Sequence, residues 1–173
     1  MRLLALTVLA LALSAATATG AARAPGGSLS IVGGRGAIQI TGNKALIGTI
    51  EKGSLKITDL TPSDGSSPFV NGVPRGKDVW LRGQNIRFRI LKGHYRIVAR
   101  GDGISISAYG NGTAVLDGDP DQGGATGLFA VGGATCVGTD IAGCAPLPVE
   151  ATKATFGVKD GSATSSQSVK IQP

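Results

Sequence analysis

The feature that most restricts the fold of this chain is a short unit, bounded by glycine, in which apolar and polar residues alternate. Four units run from Gly27 to Asp59 as GSLSIVG, GAIQITG, ALIGTIEKG and GSLKITD, and four more run from Gly83 to Gly118 as GQNIRFRILKG, GHYRIVARG, GISISAYG and GTAVLDG. Successive side chains of a strand point to opposite faces, so each unit has one apolar and one polar face. Glycine at such short intervals indicates turns and argues against helices.

These units predict an all-β fold. Their spacing of eight to ten residues leaves room for a short strand and a tight turn, which fits consecutive antiparallel hairpins better than the longer coils of a parallel solenoid. Strands that each have one apolar face close most naturally into a sandwich or a barrel. We therefore predict an antiparallel sandwich or barrel built from short strands punctuated by glycine, with a β-solenoid as the alternative.

The N-terminus predicts export. Arg2 precedes an apolar run from Leu3 to Leu13, and small residues follow up to Ala18, which is the layout of a cleaved signal peptide. No later stretch is apolar enough to span a membrane, so we expect a secreted protein that is extracellular or associated with the cell envelope. The predicted organisation is a signal peptide at 1–18, a flexible segment at 19–26, a single β domain at 27–160 and a flexible tail at 161–173.

The chain has two cysteines, Cys136 and Cys144. In an exported protein an even pair predicts one disulfide, which here closes the short loop CVGTDIAGC. A metal site is the alternative, but His94 is the only histidine, and two thiolates rarely bind a metal by themselves.

Several segments resemble a group of uncharacterised secreted β-rich proteins from high-GC Gram-positive bacteria. The resemblance is carried by LKITDL, RFRILKGHYRIVARGDGISISAYGNGTAVLDG and PLPVEATKATFGV, and it covers most of the chain after the signal peptide. It implies an exported bacterial β domain. No activity and no catalytic residue are attached to that group, so the resemblance implies no specific function.

The segment NIRFRILKGHYRIVARGDG, residues 85–103, concentrates positive charge on two neighbouring units. A two-residue turn at Lys92–Gly93 would place Arg89 opposite Arg96, and opposed arginines repel each other unless carboxylates, bound anions or solvent relieve them. The core face would then hold Ile86, Phe88, Ile90, Tyr95 and Ile97.

Two interpretations of this segment remain open. The arginines form either a solvated polar face or a strip that binds anions through bidentate guanidinium groups. The candidates for anion binding are Arg87, Arg89, Arg96 and Arg100. The partner would be an anionic envelope polymer or an acidic polysaccharide, since specific nucleic-acid binding requires exposed aromatic side chains among the cations, and Phe88 and Tyr95 belong to the predicted core. A net charge of +6 permits such binding without requiring it.

A second candidate site is the acidic turn LDGDPDQGG. Asp117, Asp119 and Asp121 alternate as they do at the start of a calcium-binding loop. However, Gln122 and Leu128 occupy the places where that loop has Gly and Glu, and an ordinary turn of Asp, Gly and Pro explains the same residues. Calcium is therefore the weaker alternative, and no other cofactor is indicated.

The sequence identifies no catalytic residue. His94 is the only histidine, no G-x-S-x-G motif is present, and no pair of carboxylates is singled out. We predict an exported non-catalytic β domain that acts in binding or structure at the cell envelope through a cationic strand face. The alternative is a secreted hydrolase with an unidentified site. The oligomeric state is not indicated.

Overall fold

A computed structural model describes residues 27–120, 125–134, 136, 141 and 143–157. The predicted signal peptide at 1–18, the segment at 19–26 and the tail at 161–173 lie outside the described residues. Every regular element in the described part is a β-strand, and no helix there is long and apolar enough to cross a membrane. The prediction of an all-β fold is confirmed.

The strands form one antiparallel hydrogen-bonded network. They are β1 (Gly27–Asp59), β2 (Phe69–Val70), β3 (Val73–Pro74), β4 (Asp78–Ile90), β5 (His94–Gly118), β6 (Leu128–Val131), β7 (Ala145–Pro146) and β8 (Thr152–Phe156). The order across the network is β3-β2-β4-β1-β5-β8, with β6 paired to β1 and β7. The first array of sequence units therefore continues through its glycines as the single strand β1, and the second forms the long strands β4 and β5 with a break at residues 91–93.

The two longest strands, β1 and β5, pair with each other twice. Gly36 lies opposite both Gly101 and Gly118, and Gly101 lies opposite both Gly36 and Gly53. In each strand, then, positions 17 residues apart meet the same partner. Two strands that repeat their pairing at a fixed interval coil around a common axis. Half of this 17-residue turn is close to the spacing of eight to ten residues between the sequence units.

Half a turn carries each strand from one wall of the coil to the opposite wall. The front wall consists, in order, of segments 152–156, 112–118, 36–43, 94–101, 53–59 and 78–83. The back wall consists, in order, of segments 128–131, 27–34, 104–110, 44–50, 84–90 and 69–70. This two-walled coil is the architecture that positions every outward side chain.

Both walls bury their inward faces in one hydrophobic core. The front wall contributes Ile40, Ile57 and Ile97, and the back wall contributes Ile31, Phe88 and Ile106. The predicted core face of residues 86–97 is confirmed, because Ile86, Phe88, Ile90, Tyr95 and Ile97 are all buried.

The chain changes wall at corners where the alternation shifts by one residue. In β4, Val79 is buried on the front wall, whereas Ile86 and Phe88 are buried on the back wall. The buried positions thus change from odd to even numbers across the corner, where Asn85 adopts a φ of 54°. A local bulge of this kind bends a strand and redirects its side chains.

One corner of the front wall is a row of five glycines. They are Gly118, Gly36, Gly101, Gly53 and Gly83. Gly101 has a φ of 132°, and a Cβ placed on it would collide with the carbonyl oxygen of Lys52. A Cβ placed on Gly83 would meet no other atom within 4 Å. Glycine is therefore required where the two strands of the coil press against each other.

The predicted connection by consecutive hairpins is wrong. Within residues 78–118, all of which are described, β4 and β5 do not pair, because β1 lies between them. Arg89 is paired with Ile47, and Arg96 is paired with Thr41 and Thr58, so the two arginines do not face each other. Alternation and glycine spacing are the same in a hairpin and in a coil, and they do not specify which strand is the partner.

The predicted disulfide is confirmed. Cys136 and Cys144 are bonded, with their Cα atoms 5.9 Å apart. Cys136 is buried, and its backbone nitrogen lies 3.5 Å from the hydroxyl of Ser30, whose side chain is buried at the outer surface of the back wall. Cys136, one end of the disulfide, therefore lies against the outer surface of the back wall.

Candidate functional site

The four predicted anion-binding arginines divide between the two walls. Arg96 and Arg100 project from the outer face of the front wall, whereas Arg87 and Arg89 project from the outer face of the back wall. The guanidinium carbon of Arg89 lies 4.6 Å from the ring centre of Phe69. The single strip expected from the sequence is thus two pairs of arginines on opposite sides of the molecule.

A denser group of cations surrounds the front-wall pair. Lys56, on the neighbouring segment of β1, is paired with Val98, which lies midway between Arg96 and Arg100 along β5. Ser54 is paired with Arg100 on one side and with Arg82 of β4 on the other. All four cationic side chains are exposed. We call Lys56, Arg82, Arg96 and Arg100 the cationic cluster.

The cationic cluster covers a flat area of three adjacent strands. Arg96 and Arg100 are four residues apart on one strand, which corresponds to about 13 Å. Two strand spacings, roughly 10 Å, separate the β5 segment from β4. Guanidinium groups at these spacings reach several anionic groups of an extended ligand at the same time, each with planar bidentate donors.

Among the described residues the cationic cluster forms no ion pair. The one ion pair there joins Arg35 Nε to Asp102 Oδ1 at 2.9 Å, outside the cluster. Asp78 and Asp117 lie on the outer face of the same wall, but one strand separates each of them from the nearest arginine of β5. The four cations therefore make no direct ion pair with a described carboxylate, although Asp78 is a diagonal neighbour of Lys56 and three aspartates line a groove together with Arg100.

The cations are interleaved with hydroxyl and amide side chains. Neighbouring outward positions of the front wall carry Gln39, Thr41, Ser54 and Thr58. Trp80, paired with Lys56 at the β4 end of the same face, is 72% exposed. The face thus offers neutral hydrogen-bonding groups between its charges.

An open groove of about 610 Å³ runs beside the cationic cluster along the glycine corner. Its floor includes the bare backbone of Gly36, Gly101 and Gly118. Its charged lining residues are Arg35, Arg100, Asp102, Asp117 and Asp119. Because it holds both signs of charge, the groove is less selective for anions than the cluster next to it.

The groove contains two of the three aspartates of the calcium hypothesis, Asp117 and Asp119, while Asp121 lies outside the described residues. In the described part of the chain, no three side chains of His, Cys, Asp or Glu are grouped so that they could hold a metal ion. Calcium binding through the three aspartates stays a prediction that these positions do not test.

Buried polar groups lie at the corner where β1 passes from the front wall to the back wall. The Lys44 ammonium group, 4% exposed as a residue, donates hydrogen bonds to the backbone carbonyls of Gly42 at 3.0 Å and Tyr95 at 2.9 Å. Burial lowers the pKa of Lys44 to about 8. The Tyr95 hydroxyl lies 2.6 Å from that of Ser66, and burial raises the pKa of Tyr95. The contact with Tyr95 holds the loop that contains Ser66 against β5.

The only histidine, His94, precedes Tyr95 in the sequence but takes no part in the hydrogen bonds of Lys44, Tyr95 and Ser66 described above. The backbone carbonyl of His94 accepts a hydrogen bond from the Leu60 N–H at 2.8 Å. Among the described residues, no Ser or Asp side chain is hydrogen-bonded to its imidazole. The arrangement therefore contains no pairing of a nucleophile with a base that would identify a hydrolase site there.

Comparison of the chain with protein-family models, with curated proteins and with solved structures finds no match.

Sequence reasoning missed Lys56, Arg82 and Trp80. Each occupies an outward position of an alternating segment, in SLKIT or DVWLR, so the local signal for exposure is present. Their closeness to Arg96 and Arg100 depends on the placement of β1 between β4 and β5. That placement is a long-range property that no local pattern specifies.

Proposed function

We propose that the protein is an exported, non-catalytic binding domain of the cell envelope whose front wall binds an anionic polymer through the cationic cluster. The single observation that carries this proposal is the convergence of four exposed cations from three adjacent strands, with no ion pair among the described residues. The register makes Lys56 a diagonal neighbour of Arg82, Arg96 and Arg100, so the four charges lie close enough together to attract one extended anion.

The shape of the face favours a polymer over a small anion. The cluster is flat and spreads its charges over roughly 10 to 13 Å, so no single small anion contacts all four side chains. A chain that carries an anionic group on each repeat, such as an acidic polysaccharide, contacts several of them at once. The hydroxyl and amide groups between the cations supply hydrogen bonds to neutral parts of such a chain.

The disulfide supports the location. Cys136 and Cys144 are bonded, and disulfides persist in oxidising compartments outside the cytosol. Together with the predicted signal peptide, the disulfide supports a location outside the cytosol, where envelope polymers and acidic polysaccharides are available to the front wall.

The test removes three positive charges from the front wall in one variant and, in the other, two from the back wall and one from Arg75, next to β3. The front variant combines Lys56→Gln, Arg96→Gln and Arg100→Gln, and the control variant combines Arg75→Gln, Arg87→Gln and Arg89→Gln, all at exposed positions. We expect wild type and control to be retained on immobilised polygalacturonate at low salt, and the front variant to elute early. The logarithm of wild-type affinity should fall steeply with the logarithm of salt concentration, and the front variant should lose roughly two to three units of that slope.

Thermal unfolding of each variant shows whether it is folded. Equal retention of the wild type and a folded front variant overturns the proposal. Loss of retention in the control variant alone overturns it as well, because the binding face would then be the back wall.

A further inference from the structure

The β4 end of the front wall is an open sheet edge. From Asp78 to Gly83, β4 pairs with β1 on one side, from Thr58 to Gly53. On its other side, no described residue pairs with this part of β4, since β2 reaches only Phe88 and Arg89. An unpaired edge presents free N–H and C=O groups to any further strand.

Two other edges of the network are short and end in proline. The outer strands β3 and β7 have two residues each, and they end at Pro74 and Pro146. Proline has no N–H to donate to a neighbouring strand. The longer outer strands are β4 and β8, so a partner strand has two places to add.

The side chains of the β4 edge are self-complementary. If two copies of the segment DVWLR pair antiparallel with Trp80 at the centre, Asp78 of each copy lies opposite Arg82 of the other. Val79 then lies opposite Leu81 on the core side. Opposite charges placed directly across two strands stabilise the pairing. The same operation on β8, centred on Ala154, places Lys153 opposite Thr155 and produces no charge pair.

Trp80 supplies the second observation. At 72% it is the most exposed of the large apolar side chains in the described part of the chain. Pairing centred on this residue brings the two indoles side by side on the outer face, and aromatic pairs across strands stabilise sheets by mutual contact. The exposure of Trp80 is thereby accounted for.

We propose that the protein forms a two-fold symmetric dimer in which residues Asp78–Arg82 of β4 pair antiparallel with the same residues of a second copy. The front walls then continue into each other as one sheet, and the two cationic clusters lie on one face. Such an interface is isologous, because the same surface of each copy contacts its equivalent. The proposal does not depend on polymer binding, and its test contains no polymer.

A strand pairing of five residues is a small interface, so we expect a dissociation constant in the micromolar range. Sedimentation velocity of the full chain, from about 1 µM to about 500 µM, should show a concentration-dependent change from monomer to dimer. Trp80 is the only tryptophan, so its fluorescence emission should shift to shorter wavelength over the same range.

Charge exchange tests the register. Arg82→Asp places two carboxylates opposite each other and should weaken the dimer about tenfold or more. The double variant Asp78→Arg with Arg82→Asp restores the opposite pairs and should restore the dimer. Lys153→Asp makes the same charge change at the β8 edge and should leave dimerisation unchanged.

A wild type that remains monomeric up to about 500 µM overturns the proposal. A dimer that Arg82→Asp does not weaken overturns it too. If the double variant stays monomeric while its thermal unfolding matches that of wild type, the antiparallel register centred on Trp80 is wrong.

Discussion

The front and back walls share the strands β1, β4 and β5 and repeat the same half-turn, but their outer faces differ in chemistry. The front wall presents the cationic cluster among hydroxyl and amide groups. The back wall presents Ile47 and Tyr109, which are 60% and 58% exposed, together with Arg87 and the stacked Arg89. Cys136 also lies against the back wall, at Ser30. Inward positions are constrained by one shared core, whereas outward positions are free to differ.

This difference shows how a coil rearranges charge. Residues that follow each other closely in sequence, such as Arg89 and Arg96, reach opposite walls because each half-turn changes the wall. Residues far apart in sequence, such as Lys56 and Arg100, come together because each turn of β1 lies beside a turn of β5. A run of cations in the sequence is therefore a poor measure of a cationic surface in this fold.

The largest expected effect tests whether the glycine corner of the front wall holds the coil together. Gly101→Ala introduces a Cβ against the Lys52 carbonyl at a φ of 132°, so we expect a loss of about 3 kcal/mol or more in the free energy of unfolding. Gly83→Ala, in the same row but facing empty space, should change it by less than about 0.5 kcal/mol. Urea unfolding of both variants measures the difference in the free energy of unfolding. Equal losses for the two variants would contradict the collision between a Cβ at Gly101 and the Lys52 carbonyl.

The next effect concerns the disulfide beside the back wall. Replacing Cys136 and Cys144 together by Ser removes a cross-link over a short loop, which should lower the free energy of unfolding by about 2.5 kcal/mol. Urea unfolding without reductant measures this loss. If the front wall alone binds polymer, retention on polygalacturonate should be unchanged while the variant is folded. A folded variant with lost retention would show that the two walls are not independent.

Lys44 lies where β1 leaves the front wall for the back wall, and it makes stability depend on pH. Burial lowers its pKa from 10.5 to about 8, so between these values the unfolded chain holds a proton that the folded chain has released. Stability therefore rises with pH across this window, by about 2 kcal/mol between pH 7 and pH 10. Urea unfolding at several pH values measures the rise.

The matched variant is Lys44→Met, in which the rise should disappear. Tyr95 is present in both proteins, and its raised pKa acts in the opposite direction at still higher pH, so the difference between the two curves isolates Lys44. Parallel curves for wild type and variant would contradict the assignment.

The smallest effect compares one arginine from each wall. Arg89→Gln removes the stacking on Phe69 and should lower the free energy of unfolding by roughly 0.5 kcal/mol. Arg96→Gln removes a charge from the cationic cluster, so stability should stay the same or increase slightly as repulsion is relieved. Thermal unfolding at low salt measures both. A double-mutant cycle with Phe69→Leu should show coupling for Arg89 and none for Arg96.

The fold class and the core were predictable because their signals are local. Alternation over a few residues specifies which side chains face inward, and Phe88 and Ile97 are buried as predicted. The disulfide was predictable because two cysteines allow one pairing. Alternation also predicted that four arginines point outward, namely Arg87, Arg89, Arg96 and Arg100.

Strand partners were not predictable by the same means. A glycine that ends a hairpin strand and a glycine that bends a coiled strand have the same sequence context, so the chain from Ile90 to Tyr95 was interpreted as a hairpin turn. In the structure this stretch carries the chain past β1 to its other side. The cationic cluster depends on that crossing, and for this reason Lys56 and Arg82 could not be found from the sequence.

The turn of 17 residues also restricts how such a chain can change its length. A single residue inserted into the middle of β1 would displace its register against two different stretches of β5 simultaneously, and a compensating change in one stretch would not correct the other. An insertion within the coil preserves every row of the walls only if it adds a whole turn, with equal lengths added to both strands. Insertion within the coil therefore lengthens it one turn at a time. A relative lengthened in this way would carry additional complete turns, each of which adds one segment to each wall.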